Sequence, residues 1–191
     1  KYYITVNGEK FVDSSKDKCG GGGILLFQSK DGIKWIKKYD DYIITGFKKG
    51  TKDGHFGSVH GFDGPLSVLY SEESKLYYFY CRLNIFTGVR YIQFCSSPDL
   101  KNWSEFKEIK CDFPFNRKND NFYGPHFFTF NNKILGLVSY YKEGDHKQKN
   151  AGIYFMETGN TETWKMIKKI KSCGFFNKDP CGKNTNRFKT E

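Results

Sequence analysis

An internal repeat constrains this chain more than any other feature. Three tryptophans close the same short pattern: Ser29-x-Asp31-x-x-x-Trp35, Ser97-x-Asp99-x-x-x-Trp103 and Thr158-x-Asn160-x-x-x-Trp164, at intervals of 68 and 61 residues. A second mark keeps the same register, since Gly64-Pro65 and Gly124-Pro125 lie 39 and 40 residues ahead of Trp103 and Trp164. Repeated units of this kind bury their apolar faces by stacking on one another, so the repeat decides the architecture before any single segment does.

Within each unit, β-branched and aromatic runs are bounded by Gly, Asn, Asp and Lys, which is the pattern of short strands and turns. The second unit predicts strands over PLSVLY (65–70), KLYYFYCRL (75–83), VRYIQFCSS (89–97) and SEFKEIK (104–110). The third predicts PHFFTF (125–130), KILGLVSYY (133–141), AGIYFMET (151–158) and WKMIKKI (164–170). In the first unit, KYYITVNG, GGGILLFQS and WIKKYDDYII match the second to fourth strands of the others, so its first strand is expected to precede Lys1. Four-stranded meanders of this length are blades of a β-propeller. The all-β chain then divides into a partial blade at 1–46, blades at 47–112 and 113–172, and a tail or start of a further blade at 173–191. The Ser/Thr-x-Asp/Asn element is read as a turn whose side chains bond the backbone, with the tryptophan packed into the blade.

Composition narrows the function. At 38% apolar and 18% aromatic the chain can build a core, and its longest aliphatic run, GILLF (23–27), is far too short to span a membrane. The net charge of +10 raises the question of nucleic acid, but only Arg82, Arg90, Arg117 and Arg187 are arginines and the lysines are scattered through turns. No nucleic-acid partner is expected. The six cysteines are spaced unlike a zinc site: Cys81 and Cys95 sit in apolar runs as small hydrophobes, and Cys173 and Cys181 could close a short loop. His55 and His60 share a Gly-rich loop, yet two histidines fall short of the usual three or four zinc ligands, and no metal or cofactor is expected.

The stretches GGILLFQSKDGIKW, FDGPLSVLYSEESKLYYFYCR and GVRYIQFCSSPDLKNW resemble the five-bladed propeller glycoside hydrolases of the arabinanase, xylosidase and invertase kind, over roughly residues 1–170. Sialidase Asp-boxes place the tryptophan five residues after the aspartate, whereas every copy here places it four after. The resemblance implies five blades, a carbohydrate ligand in a central funnel, and carboxylates on the innermost strands. One acts as acid and one as base or nucleophile across the scissile bond. Asp63 in Phe62-Asp63-Gly64-Pro65 resembles the blade-opening aspartate and is the catalytic candidate. One blade later the motif's acid position holds Tyr123, whose residue type ordinarily titrates near 10 rather than near 4, which puts hydrolysis in doubt. Asp120, three residues before it, reads mainly as a loop aspartate.

His60, Arg82, Arg90, Tyr123 and His126 are the substrate-binding candidates. His126 follows the Gly-Pro turn and either touches sugar hydroxyls or packs in the core. Arg82 either points into the funnel or pairs with Glu72 or Glu73. The competing reading is a catalytically inactive propeller serving as a glycan-binding or structural surface or virion component, with an extracellular or virion-associated location. In either case the uncovered sheet edges call for further blades or a partner chain.

Overall fold

The computed structural model describes residues 2–8, 23–45, 54–56, 65–85, 89–131, 133–143 and 151–171. Every regular element among them is a strand, and no helix is long and apolar enough to cross a membrane. The 173–191 segment and Cys19, Cys173 and Cys181 lie outside the described residues.

The strands form three sheets. In the first, β2 (Gly23–Ser29) pairs along its whole length with β1 (Tyr2–Gly8), and on its other side with β3 (Ile36–Lys37) and β4 (Ile44–Thr45). In the second, β6 (Ser67–Ser71), β7 (Leu76–Ile85), β8 (Arg90–Ser97) and β9 (Lys107–Glu108) follow one another as an antiparallel meander. β5 (Gly54–Phe56) pairs with the end of β7 that extends past β6. The third sheet is β11 (Asp120–Phe130), β12 (Lys133–Lys142), β13 (Gly152–Thr158) and β14 (Thr163–Lys171), again an antiparallel meander. Hairpin loops of a few residues permit only this antiparallel order.

One expected strand is divided. The apolar pattern of 104–110 predicts a single fourth strand, but β9 ends at Glu108 and β10 (Lys110–Cys111) joins the outer edge of the third sheet, parallel to Thr163 and Trp164. Ile109 is the pivot: its side chain is buried and its N–H donates to the Ile92 carbonyl at 3.2 Å. The next N–H, of Lys110, already reaches Glu162 O at 2.8 Å. This crossing pins two sheets together and shields part of the β14 edge. The rest of that edge carries Lys165, Lys168 and Lys169, charges that discourage edge-to-edge pairing.

The second sheet is covered on both faces, which explains the near-continuous apolar run of β7. Because side chains alternate along a strand, Tyr78 and Tyr80 face the third sheet with Phe94, Phe122, Phe127 and Trp164. Phe79 and Cys81 face the first sheet, where they meet Cys95, Ile24 and Ile44, with Trp103 and Phe106 packed alongside. At the centre of the larger core Phe127 stacks on Trp164 at 4.2 Å, and Tyr80 meets both rings edge-on at 4.6 and 5.8 Å. The Tyr80 hydroxyl donates to Thr161 O at 2.8 Å, so a hydrogen bond also joins the two sheets.

The three turns have one geometry. In each the Ser or Thr hydroxyl donates to the Asp or Asn Oδ1, and that oxygen accepts two backbone N–H groups: Ile33 and Lys34, Lys101 and Asn102, Glu162 and Thr163. The residue after the Asp or Asn takes a positive φ every time, at Gly32 (77°), Leu100 (64°) and Thr161 (65°). These accepted hydrogen bonds favour the charged carboxylate, so Asp31 and Asp99 are held below the ordinary carboxylate range. Trp164 is fully buried and Trp103 partly so, whereas Trp35 stays 38% exposed and spends its indole N–H on Gly32 O within its own turn.

Candidate functional site

Asp63 and His60 lie outside the described residues. Arg82, Arg90 and Tyr123 are brought together at one end of the second and third sheets. On β7 and β8 Arg82 stands opposite Ile92, and Arg90 opposite Asn84. The two arginines are therefore diagonal neighbours on the face that looks toward the third sheet.

Tyr123 meets them there because β11 contains a bulge. Phe122 is opposite Tyr140 and Gly124 opposite Ser139, which leaves Tyr123 as the extra residue. A bulge re-aims a side chain that regular pleating would commit to one face. The Tyr123 ring is 47% exposed, and the guanidinium carbons of Arg82 and Arg90 lie 5.2 and 5.8 Å from its centroid. At these distances a guanidinium is attracted by the ring quadrupole. Arg82 is only 6% exposed, and Arg90 is half-buried.

Residues that the repeat did not single out complete the cluster. Arg90 Nη1 donates to the Tyr141 hydroxyl at 2.7 Å, a hydroxyl whose pKa burial raises, keeping it protonated. The Arg90 N–H donates to Asn121 Oδ1 at 2.8 Å, and Asn121 Nδ2 in turn donates to Glu143 Oε2 at 3.2 Å. Asn121 is fully buried and ties the start of β8 to β11 and to the end of β12. Nothing in its local sequence marked it, since its partners come from 31 and 22 residues away.

The Gly-Pro marks serve to bring the innermost strands together. A Cβ at Gly124 would meet Pro65 Cγ at 2.9 Å, so only glycine permits the approach. Beside it Ser67 Oγ donates to Pro125 O at 3.2 Å and accepts from the Phe127 N–H at 2.9 Å. The start of β11, with Tyr123, is thereby held against Pro65 and the start of β6, which begins four residues downstream of Asp63 in sequence.

Other expectations resolve differently. His126 is neither a core residue nor part of the cluster: it is exposed, opposite Leu137, on the face of the third sheet that points away from the second. Glu72 pairs with Lys75 at 2.8 Å in the β6–β7 turn, roughly 20 Å along the strand from Arg82, so it is not the arginine's partner. Asp120 Oδ2 accepts the Asn116 N–H at 2.8 Å and closes a loop. A groove of about 430 Å³, lined by Tyr70, Glu72, Thr129, Lys133, Glu157 and Lys165, opens among the turns at the opposite end of the sheets. Among the described residues no three His, Cys, Asp or Glu side chains gather as a metal site.

No protein-family profile matches the chain, and no curated protein sequence matches it. Solved structures do. A GH32 beta-fructofuranosidase of Bombyx mori superposes with a TM-score of 0.52 at 16% identity, covering 87% of this chain and 34% of the enzyme. A sucrose-bound mutant of that enzyme gives 0.53 at 15% identity, covering 89% and 35%. An N-acetylgalactosamine deacetylase of F. plautii, in complex with blood group B trisaccharide, gives 0.53 at 10% identity, covering 77% and 44%. The chain is thus alike in fold to these proteins and spans between a third and a half of their length.

Proposed function

We propose that this chain is part of a five-bladed glycoside hydrolase-like propeller that holds an oligosaccharide at the funnel mouth formed by Arg82, Arg90 and Tyr123. The observation that carries the reading is the half-exposed Tyr123 ring, aimed by a bulge into a space edged by two guanidiniums and the Tyr141 hydroxyl. A flat aromatic face beside fixed polar groups is what a pyranose or furanose ring requires, with its apolar C–H face and its rim of hydroxyls. The sugar-processing enzymes that share the fold support the same assignment.

In this reading the blades are residues 1–46, 47–112 and 113–172, apart from β10 (Lys110–Cys111), which crosses onto the third sheet, and 173–191 belongs to a tail or a further blade. The exposed Phe128, Leu137, Ile153 and Ile170 on the outer face of the third sheet are covered by another blade or a partner chain. His60 lines the rim, and His126 belongs to the covered face rather than to the sugar site. Asp63 is the residue on which hydrolysis turns. With Tyr123 at the acid position, the second reading is a propeller that binds glycan without cutting it. The two guanidiniums packed on the Tyr123 ring favour that reading, since they make it a fixed part of a binding surface.

Release of reducing ends from a panel of plant, algal and microbial polysaccharides, with the wild-type chain and Asp63→Asn, separates the two. Release that vanishes in the variant establishes a hydrolase. Glycan binding with no release in either protein establishes the binding propeller, and neither binding nor release overturns the proposal.

A further inference from the structure

The bulge that aims Tyr123 is anchored on both sides. Downstream, Gly124 packs on Pro65, and Ser67 bonds Pro125 and Phe127. Upstream the anchor is Asn121, fully buried and directly opposite Tyr141 on β12. This cross-strand pair holds Arg90 at both ends: Asn121 Oδ1 accepts its backbone N–H at 2.8 Å, and the Tyr141 hydroxyl accepts from its Nη1 at 2.7 Å. Arg90 opens β8, so the pair fixes where that strand begins relative to the bulge. A carboxamide meets every demand at position 121. The Arg90 N–H requires an acceptor, which turns Nδ2 toward Asn119 O at 3.4 Å and Glu143 Oε2 at 3.2 Å, both of them acceptors. An aspartate would keep the first bond, lose the other two and set a second carboxylate against Glu143. A leucine would make none of them.

Resting on the glycan-binding reading above, we propose that Asn121 is the positioning residue of that site. Too buried to touch a sugar itself, it acts through Arg90 and the bulge, setting the Tyr123 ring beside the Arg90 side chain. The test reverses the polarity of the buried bond, using calorimetric titration of the full chain with oligosaccharides prepared from arabinan, xylan and inulin. Asn121→Asp should weaken binding about tenfold, the effect of one lost hydrogen bond beside a facing pair of like charges. In Asn121→Asp/Glu143→Gln the glutamine amide donates to the aspartate, and affinity should return to within about threefold of wild type. Tyr80→Phe, which loosens the contact between the sheets away from the site, should bind as wild type and so separates positioning from stability. With no sugar present, nuclear magnetic resonance reads the anchor itself. In Asn121→Asp the Arg90 amide should exchange faster and the Tyr123 ring signals should move, and both should recover in the double variant.

Should Asn121→Asp fail to fold, Glu143→Ala removes the same bond at an exposed residue, and should weaken binding about threefold at an unchanged unfolding midpoint. Wild-type affinity in that variant, or in a folded Asn121→Asp protein, overturns the inference and leaves the glycan-binding reading standing. A loss that the double variant does not recover overturns it too, because the aspartate then acts by loosening the fold and not through the broken bond. An Arg90 amide and a Tyr123 ring unmoved in Asn121→Asp would show that no such anchor exists. Binding of no oligosaccharide by the wild-type protein overturns the glycan-binding reading and the positioning role with it. That failure is told apart from a failure of the anchor, since the Arg90 amide reports on the anchor without any sugar.

Discussion

Gly136→Ala is the smallest change that should break the contact between the second and third sheets. Gly136 lies on β12 opposite Phe127, and a Cβ there would stand 2.5 Å from both Phe127 Cδ1 and Cε1, and 3.2 Å from Trp164 Cζ3. Ordinary carbon contacts need about 3.5–4.0 Å, so the Phe127 ring must retreat by about 1 Å. It has little room to do so, being stacked on Trp164 at 4.2 Å and met edge-on by Tyr80 at 4.6 Å. Overpacking costs about 1–3 kcal/mol and a disturbed aromatic pair about 0.5–1.5 more, so a loss of about 2–4 kcal/mol is expected. Urea unfolding followed by near-ultraviolet circular dichroism reads that loss directly, as a lower midpoint at unchanged slope. Phe127→Leu costs stability by itself, yet combined with Gly136→Ala it should recover about 1 kcal/mol or more relative to additivity, because the clashing ring is gone. A Gly136→Ala protein within about 0.5 kcal/mol of wild type would refute the packing described here.

Two further perturbations follow from the same contacts. Tyr80→Phe keeps the ring stack but strands the Thr161 carbonyl, and should lower unfolding stability by about 1–2 kcal/mol without altering the near-ultraviolet spectrum of Trp164. Asp31 and Asp99 are more acidic folded than unfolded, so their contribution is complete above the unfolded carboxylate range near 3.9 and is lost as pH falls toward the folded value. Asp99→Asn, which copies Asn160 of the third turn, should flatten the acid limb of a melting curve taken from pH 5 to pH 2. An unchanged limb would show that the turn carboxylate carries no such linkage.

The meanders were readable because each strand of the second and third units is a compact apolar run closed by a polar turn, and the Ser/Thr-x-Asp/Asn turns recur with the same bonds at Asp31, Asp99 and Asn160. Cys81 and Cys95 were equally plain as buried thiols among apolar neighbours. The division of 104–110 at Ile109 was not readable, since its cause is a competition between two sheets for adjacent backbone groups. Nor was β5, a three-residue strand in a Gly-rich segment whose pairing depends on the end of β7 that extends past β6. At the site, Arg82, Arg90 and Tyr123 could be nominated one by one, but their meeting depends on the bulge at Tyr123, which no periodicity announces. The facing of His126 was hidden for a related reason: beyond the bulge it pairs with Leu137 and points away from the second sheet.

The central claim is that the Tyr123 face holds a sugar, and the most direct measurement is calorimetric titration of wild type and Tyr123→Ala with the tightest-binding oligosaccharide from the panel. The ring is half exposed and sits on a bulge, so its removal should leave the unfolding midpoint nearly unchanged. One lost stacking contact of about 1.4 kcal/mol weakens binding about tenfold, and the account predicts at least that loss. Affinity equal to wild type in a fully folded Tyr123→Ala protein would contradict it.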